Sequence, residues 1–185
     1  MIELVVFLGN PGESFAQNRH NAGRLAASQF PLISWHKKYK GLYALALNEI
    51  HFLMPETFMN NSGESVHEAS AFFKIPLERI LIVHDELDLP LGTMSLKNGG
   101  GLNGHNGLRS INKCCGGSGF WRLRIGIGRP VHGSVHDWVL SDFTSSEWIL
   151  LKPVLEQCTR IIVQITEQEP ETLLPDYAKK SITAN

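Results

Sequence analysis

Apolar and polar positions follow two rhythms along this chain. Unbroken apolar runs occur at Leu4-Val5-Val6-Phe7-Leu8 and at Ile80-Leu81-Ile82-Val83. Runs this short, bounded by turn residues, predict strands buried on both faces. The first ends in Gly9-Asn10-Pro11-Gly12, a tight turn, and the second delivers His84-Asp85-Glu86. Two more stretches, 42–47 and 50–54, flank Asn48-Glu49 and predict a hairpin. Strands are also expected over 93–97 and 121–127.

Helical spacing marks the remainder. A short helix is expected over 21–30, with Leu25, Ala26 and Phe30 apolar. Ser62 is placed to cap a helix carrying Val66, Ala69, Phe72 and Phe73 on one face. A helix over 106–115 follows a glycine cluster. Thr144-x-x-Glu147 is a capping box, and Trp148, Leu151, Leu155, Cys158, Ile162 and Ile165 continue at helical spacing. That predicts a helical segment at about 144–168, which Pro153 should kink or start late. Residues 167–185 are polar with two prolines and are expected to form a partly loose tail. Strands alternate with helices, with no repeat and no linker. The reading is one α/β domain over 1–185, a mixed sheet flanked by helices.

Composition narrows the class. At 43% apolar and 19% charged, the chain can bury a core and is not disordered. No run approaches the ~18 apolar residues of a membrane-spanning helix. Met1-Ile2-Glu3 does not open a signal peptide. Three cysteines (Cys114, Cys115 and Cys158) without a CxxC pair suit a reducing, intracellular setting.

Charge is segregated. Net charge is −1, yet residues 92–136 contain no Asp or Glu and carry Lys97, Arg109, Lys113, Arg122, Arg124 and Arg129. A basic block inside an otherwise acidic chain favours contact with phosphate or RNA.

Several motifs carry less than their form suggests. Gly99-Gly100-Gly101-Leu102-Asn103-Gly104 matches GxGxxG, but the acidic ribose partner about 20 residues on is missing, which disfavours a dinucleotide. The glycines suit a loop whose backbone approaches an anion. His132 and His136 have metal-ligand spacing, but Pro130 and Gly133 argue for a loop or strand and unligated surface histidines.

His20 differs. It lies between a turn and an apolar helix, in Asn18-Arg19-His20-Asn21. Asp85 emerges at the end of a buried strand, the edge where α/β sheets place chemistry. An aspartate there can bind one imidazole nitrogen and leave the other as a base. Asn10, Asn21, Asn60 and Asn106 sit beside turns, offering amides that both donate and accept. With no Gly-x-Ser-x-Gly elbow or competing cysteine, water activated by a His–Asp pair is the simplest remaining chemistry.

Five segments in order resemble the bacterial peptidyl-tRNA hydrolase family. They are Leu8-Gly9-Asn10-Pro11-Gly12 with Arg19-His20-Asn21-Ala22-Gly23; Thr57-Phe58-Met59-Asn60-Asn61-Ser62-Gly63; His84-Asp85-Glu86-Leu87-Asp88-Leu89-Pro90; Lys97-Asn98-Gly99-Gly100-Gly101 through Gly104-His105-Asn106-Gly107-Leu108; and Arg122-Leu123-Arg124-Ile125-Gly126-Ile127-Gly128-Arg129-Pro130. The resemblance implies a twisted mixed sheet between helices, and a cytoplasmic, metal-free monomer needing no cofactor. Its activity would be hydrolysis of the ester joining peptide to tRNA. By the same resemblance His20 is the general base and Asp85 orients it. Asn10 meets the substrate near the ester, and Asn60 and Asn106 hold peptide or water. Phe15 and Phe58 border the substrate. Lys97 and Arg124 clamp the 5′-phosphate beside the tRNA acceptor stem. Departures are few: Phe15 for the commoner tyrosine, Leu102-Asn103 for a more usual His-Gly, and Met54-Pro55, which lacks the lysine often found before the proline. The competing reading is a non-catalytic RNA-binding protein on the same fold. The intact set of Asn10, His20, Asn60, Asp85 and Asn106 favours the enzyme.

Overall fold

The computed structural model describes residues 1–182. One eight-stranded mixed sheet has the order β2-β3-β4-β1-β5-β7-β6-β8. Its centre is parallel: β1 (Leu4–Phe7) lies between β4 (His51–Pro55) and β5 (Ile80–Glu86), and β5 pairs with β7 (Trp121–Gly126). Both β1 and β5 are buried along their whole length, as unbroken apolar runs require. The outer pairs are antiparallel: β2 (His36–Lys38) with β3 (Gly41–Leu45), β3 with β4, β7 with β6 (Thr93–Asn98), and β6 with β8 (Lys180–Ser181).

Alternate strand residues feed two cores. Val5, Phe7, Leu81, Val83, Leu123 and Ile125 pack with α1 (Ala22–Ala27) and α5 (Ser145–Glu167). Leu4, Val6, Leu8, Ile80 and Ile82 pack with α2 (Ser62–Phe73) and α3 (Asn106–Cys115). The cross-contact of α2 and α3 depends on Gly63, where a Cβ would collide with the Ser110 carbonyl. The Gly63 N–H donates to Ser110 Oγ at 2.9 Å, which closes that approach.

The expected elements are present with changed bounds. Ser62 is not a cap; its hydroxyl donates to the Met59 carbonyl, closing the short 3₁₀ turn Met59–Asn61 that leads into α2. Phe72 faces outward, 68% exposed. The Thr144–Glu147 capping box is formed, and α5 starts at Ser145 without delay. The helix runs through Pro153. The carbonyl that proline leaves unpaired belongs to Ile149 on the exposed face, where water can satisfy it.

Three regions differ from expectation. The all-polar, exposed β2 turns into β3 through Tyr39 and Lys40, both at positive φ. The helix α4 (Val135–Val139), capped by Ser134 accepting from the Asp137 N–H, replaces the expected loop or strand. The tail is not loose over the described residues. Pro170–Leu173, α6 (Leu174–Tyr177) and β8 dock through buried Leu173 and Tyr177, and β8 pairs with β6. Residues 183–185 of that expected tail lie outside the described residues. No helix among the described residues is long and apolar enough to cross a membrane.

Candidate active site

The C-terminal ends of β1 and β5 open into a pocket of about 830 Å³. Open α/β sheets place their chemistry at this edge. Asp85, the penultimate residue of β5, is 2% exposed. Its Oδ1 accepts from His20 Nδ1 at 2.9 Å and from His105 Nε2 at 2.9 Å. His20 reaches it from the 3₁₀ turn Arg19–Asn21, held against the sheet by α1. His20 Nε2 has no partner among the described residues, so its lone pair is left for the pocket.

The electrostatics follow from this geometry. Burial pushes the His20 pKa down, but the charge and hydrogen bond of Asp85 outweigh it, and the net shift is upward. Burial opposes ionisation of Asp85, and the two histidines overcome that, holding the carboxyl well below its ordinary value. His84 donates from Nδ1 to the Asp85 carbonyl at 2.6 Å; burial, then His105, drives its pKa well down, so it is neutral.

Asn10 is fixed by its neighbours. The Asn21 side chain accepts from the Asn10 N–H and donates to the Asn10 carbonyl, both at 2.9 Å. Asn10 Oδ1 accepts from the Met59 N–H at 2.8 Å, leaving its amide NH₂ as the available donor. Asn60 and Asn106 line the same pocket, exposed and without side-chain bonds among the described residues. Phe15 and Phe58 meet edge-on at 6.3 Å on its rim.

Lys97 and Arg124 are not in the pocket. They project from β6 and β7, where Lys97 faces Arg122 and Ser95 faces Arg124. Lys97 has no partner among the described residues. Arg124 donates to Ser95 Oγ at 2.8 Å and pairs with Glu86 at 3.4 Å, and Glu86 does line the pocket. Arg122, counted in the sequence as part of a basic surface, is 1% exposed. Its guanidinium donates to the carbonyls of Gly99 and Gly101 and props the glycine loop. Arg129 pairs with Asp88 at 2.7 Å. Half of the basic block is thus engaged within the protein.

His20, Asp85 and His105 are also the one cluster among the described residues with metal-ligand proximity. The proton positions oppose that use. His105 Nδ1 accepts from the Leu108 N–H at 3.3 Å, capping α3, so Nε2 must carry the hydrogen aimed at Asp85. A cation would have to displace it. His132 and His136 belong to no such cluster among the described residues: His136 lies on α4 beside Asp137, and His132 is in the preceding loop.

A model of the peptidyl-tRNA hydrolase family matches residues 4–185. The chain belongs to the peptidyl-tRNA hydrolase family. A curated peptidyl-tRNA hydrolase of Treponema pallidum is 44% identical, with 98% of this chain and 96% of the relative covered. One from Azorhizobium caulinodans is 47% identical over 77% of this chain and 74% of its own length. The crystal structure of the Acinetobacter baumannii peptidyl-tRNA hydrolase superposes with a TM-score of 0.87 at 36% identity, covering 96% and 94% of the two chains. A peptidyl-tRNA hydrolase solved with N-propanol gives 0.91 at 35% identity, covering 99% and 97%.

Sequence reasoning missed His105, Arg19 and Glu86 as parts of this site. The signal available for His105 was its place just before α3, where a side chain that accepts from the helix N-terminus is favoured. Leu102-Asn103, where the family more often has His-Gly, keeps the backbone a glycine would provide. Asn103 sits at φ 47, and its side chain donates to Asp88 Oδ2 at 3.2 Å. Asparagine tolerates that region better than most residues.

Proposed function

We propose that this chain hydrolyses the ester between peptide and tRNA, with water as nucleophile and His20 as general base. The observation that carries this reading is the bond from His20 Nδ1 to buried Asp85, which leaves Nε2 as a base on the pocket. Water lying between Nε2 and the ester carbonyl gives its proton to Nε2 as its oxygen forms the new bond. The tetrahedral intermediate then expels the ribose oxygen, which takes the proton back from the imidazolium. Asp85 stays ionised and stabilises that imidazolium. The Asn10 NH₂ donates to the carbonyl oxygen as it gains charge. Asn60 and Asn106 hold the peptide backbone or the water, and Phe15 and Phe58 border the substrate.

Lys97, with Arg124, holds the 5′-phosphate beside the acceptor stem. The protein acts as a cytoplasmic monomer. A non-catalytic RNA binder would have no use for a buried carboxylate orienting a histidine toward a pocket.

The test is N-blocked aminoacyl-tRNA incubated with enzyme and chelator, followed as released tRNA. His20→Ala is expected to lose roughly 10²–10⁴-fold in kcat, the usual contribution of a general base, with tRNA affinity retained. A variant keeping more than about a tenth of wild-type kcat would falsify the assignment of His20.

A further inference from the structure

Arg19 precedes the proposed base and takes no part in the chemistry above. Its side chain is 4% exposed. The guanidinium donates to Glu147 Oε2 at 2.8 Å and to Ser141 Oγ at 3.1 Å. Its carbon sits 3.8 Å from the centre of the Trp138 ring. The backbone repeats this connection. The Arg19 N–H donates to the Ser141 carbonyl, the Phe143 N–H to the Gln17 carbonyl, and Asn18 Nδ2 to Asp142 Oδ1 at 2.6 Å. The Glu147 oxygen that receives Arg19 also accepts from the Thr144 N–H at 2.8 Å, so one atom closes the α5 capping box and anchors the turn bearing His20. Trp138 belongs to α4, whose Val135 and Val139 form a wall of the pocket.

The remaining nitrogen of Arg19, Nη1, is buried with no partner among the described residues. An ion pair buried on its arginine side and open to solvent at Glu147, with one arginine nitrogen unpaired, adds little stability. It supplies direction instead: stacking fixes the guanidinium plane, and two N–H bonds fix its rotation within that plane.

We propose that Arg19 is a positioning residue that sets the separation between His20 and the α4 wall, so that the ester is held in line with Nε2. This rests on the peptidyl-tRNA reading. A misplacement of about 1 Å at a reacting centre can cost roughly 10²-fold.

The experiment compares wild type, Arg19→Gln, Arg19→Lys and Trp138→Leu on N-blocked aminoacyl-tRNA, well below each unfolding midpoint. Affinity for deacylated tRNA is measured separately. Arg19→Gln is expected to lower kcat by about ten- to a hundredfold. KM and tRNA affinity should stay nearly constant, because phosphate contacts elsewhere supply most of the binding. Arg19→Lys should recover part of the rate by keeping the charge opposite Glu147. Trp138→Leu should lower kcat with the ion pair intact. A folded Arg19→Gln with wild-type kcat, or a loss confined to KM, overturns the proposal. If Arg19→Gln does not fold, Trp138→Leu decides: unchanged kcat overturns the proposal and a kcat loss at constant KM sustains it. An inactive wild type instead overturns the hydrolase reading on which the proposal rests.

Discussion

Two ring N–H groups, Nδ1 of His20 and Nε2 of His105, converge on one oxygen of Asp85, each at 2.9 Å. The histidines are not equivalent. His105 spends its other nitrogen on the Leu108 N–H and so aims a ring N–H at Asp85, while the other nitrogen of His20 has no partner among the described residues. The carboxylate oxygen is therefore divided between two donors, of which His20 is the one whose second nitrogen faces the pocket. His105 also ties the start of α3, and with it Asn106, to the carboxylate that binds His20.

Replacing His105 with alanine leaves the Asp85 charge to act on His20 alone. The His20 pKa, already raised, should rise further, and the acidic limb of the kcat profile should move to higher pH, because the base works only when neutral. Loss of the cap should also cost about 1 kcal/mol of stability. A pH–rate profile with thermal denaturation checks both; an acidic limb moving down would contradict the division described.

Asp85→Asn has the opposite sign. The carboxylate is what raises the His20 pKa against the effect of burial, so its removal should move the acidic limb to lower pH and reduce kcat. Stability should respond as well. A carboxyl held below its ordinary value stabilises the fold above that ordinary value, and the contribution fades as pH falls through the folded value. Acid unfolding of Asp85→Asn should accordingly be shallower. Parallel pH profiles for variant and wild type would separate Asp85 from His20.

Lys97 and Arg124 are expected to act on substrate binding. Lys97→Ala should raise KM with little change in kcat and should flatten the salt dependence. Arg124→Ala should do the same and also cost some stability, because Glu86 and Ser95 lose their partner. Removing the 5′-phosphate from the tRNA should make wild type behave like the variants and cost the variants little more. Simple addition of the two losses, measured in a cycle of both enzymes on both substrates, would place these residues on some other group.

Gly63→Ala inverts a familiar expectation. Alanine inside a helix ordinarily gains up to about 1 kcal/mol over glycine. Here the added methyl meets the backbone of Ser110, so the substitution should instead destabilise by about 1–3 kcal/mol. Denaturant midpoints decide the sign.

How much was legible in the sequence depended on whether side chains or backbone defined each part. Strands β1 and β5 are unbroken apolar runs, and the start of α5 is written in Thr144 and Glu147, so these could be read directly. Strand β2 has three exposed polar residues and exists through its backbone bonds to β3. Helix α4 exposes Val135, His136 and Asp137, and therefore shows no apolar stripe. At the site, His20 and Asp85 announced themselves by a polar turn and a strand end. His105 did not, because its partners are a carboxylate brought near by the fold and a backbone N–H. Arg122 was misleading, since a charge count cannot tell an outward guanidinium from one turned beneath a glycine loop.

The pairing of β8 with β6 has a consequence for how the polypeptide matures. Strand β6 takes β7 on one side, but the Thr93–Met94 end of its other edge stays unpaired until Lys180 and Ser181 have been synthesised. Throughout that interval a nascent chain leaves the backbone groups of Thr93 and Met94 on that edge open to another extended segment. The same edge reopens whenever the docked C-terminal segment detaches. Self-association of this protein should therefore be governed less by its catalytic face than by how firmly Leu173 and Tyr177 hold that segment down.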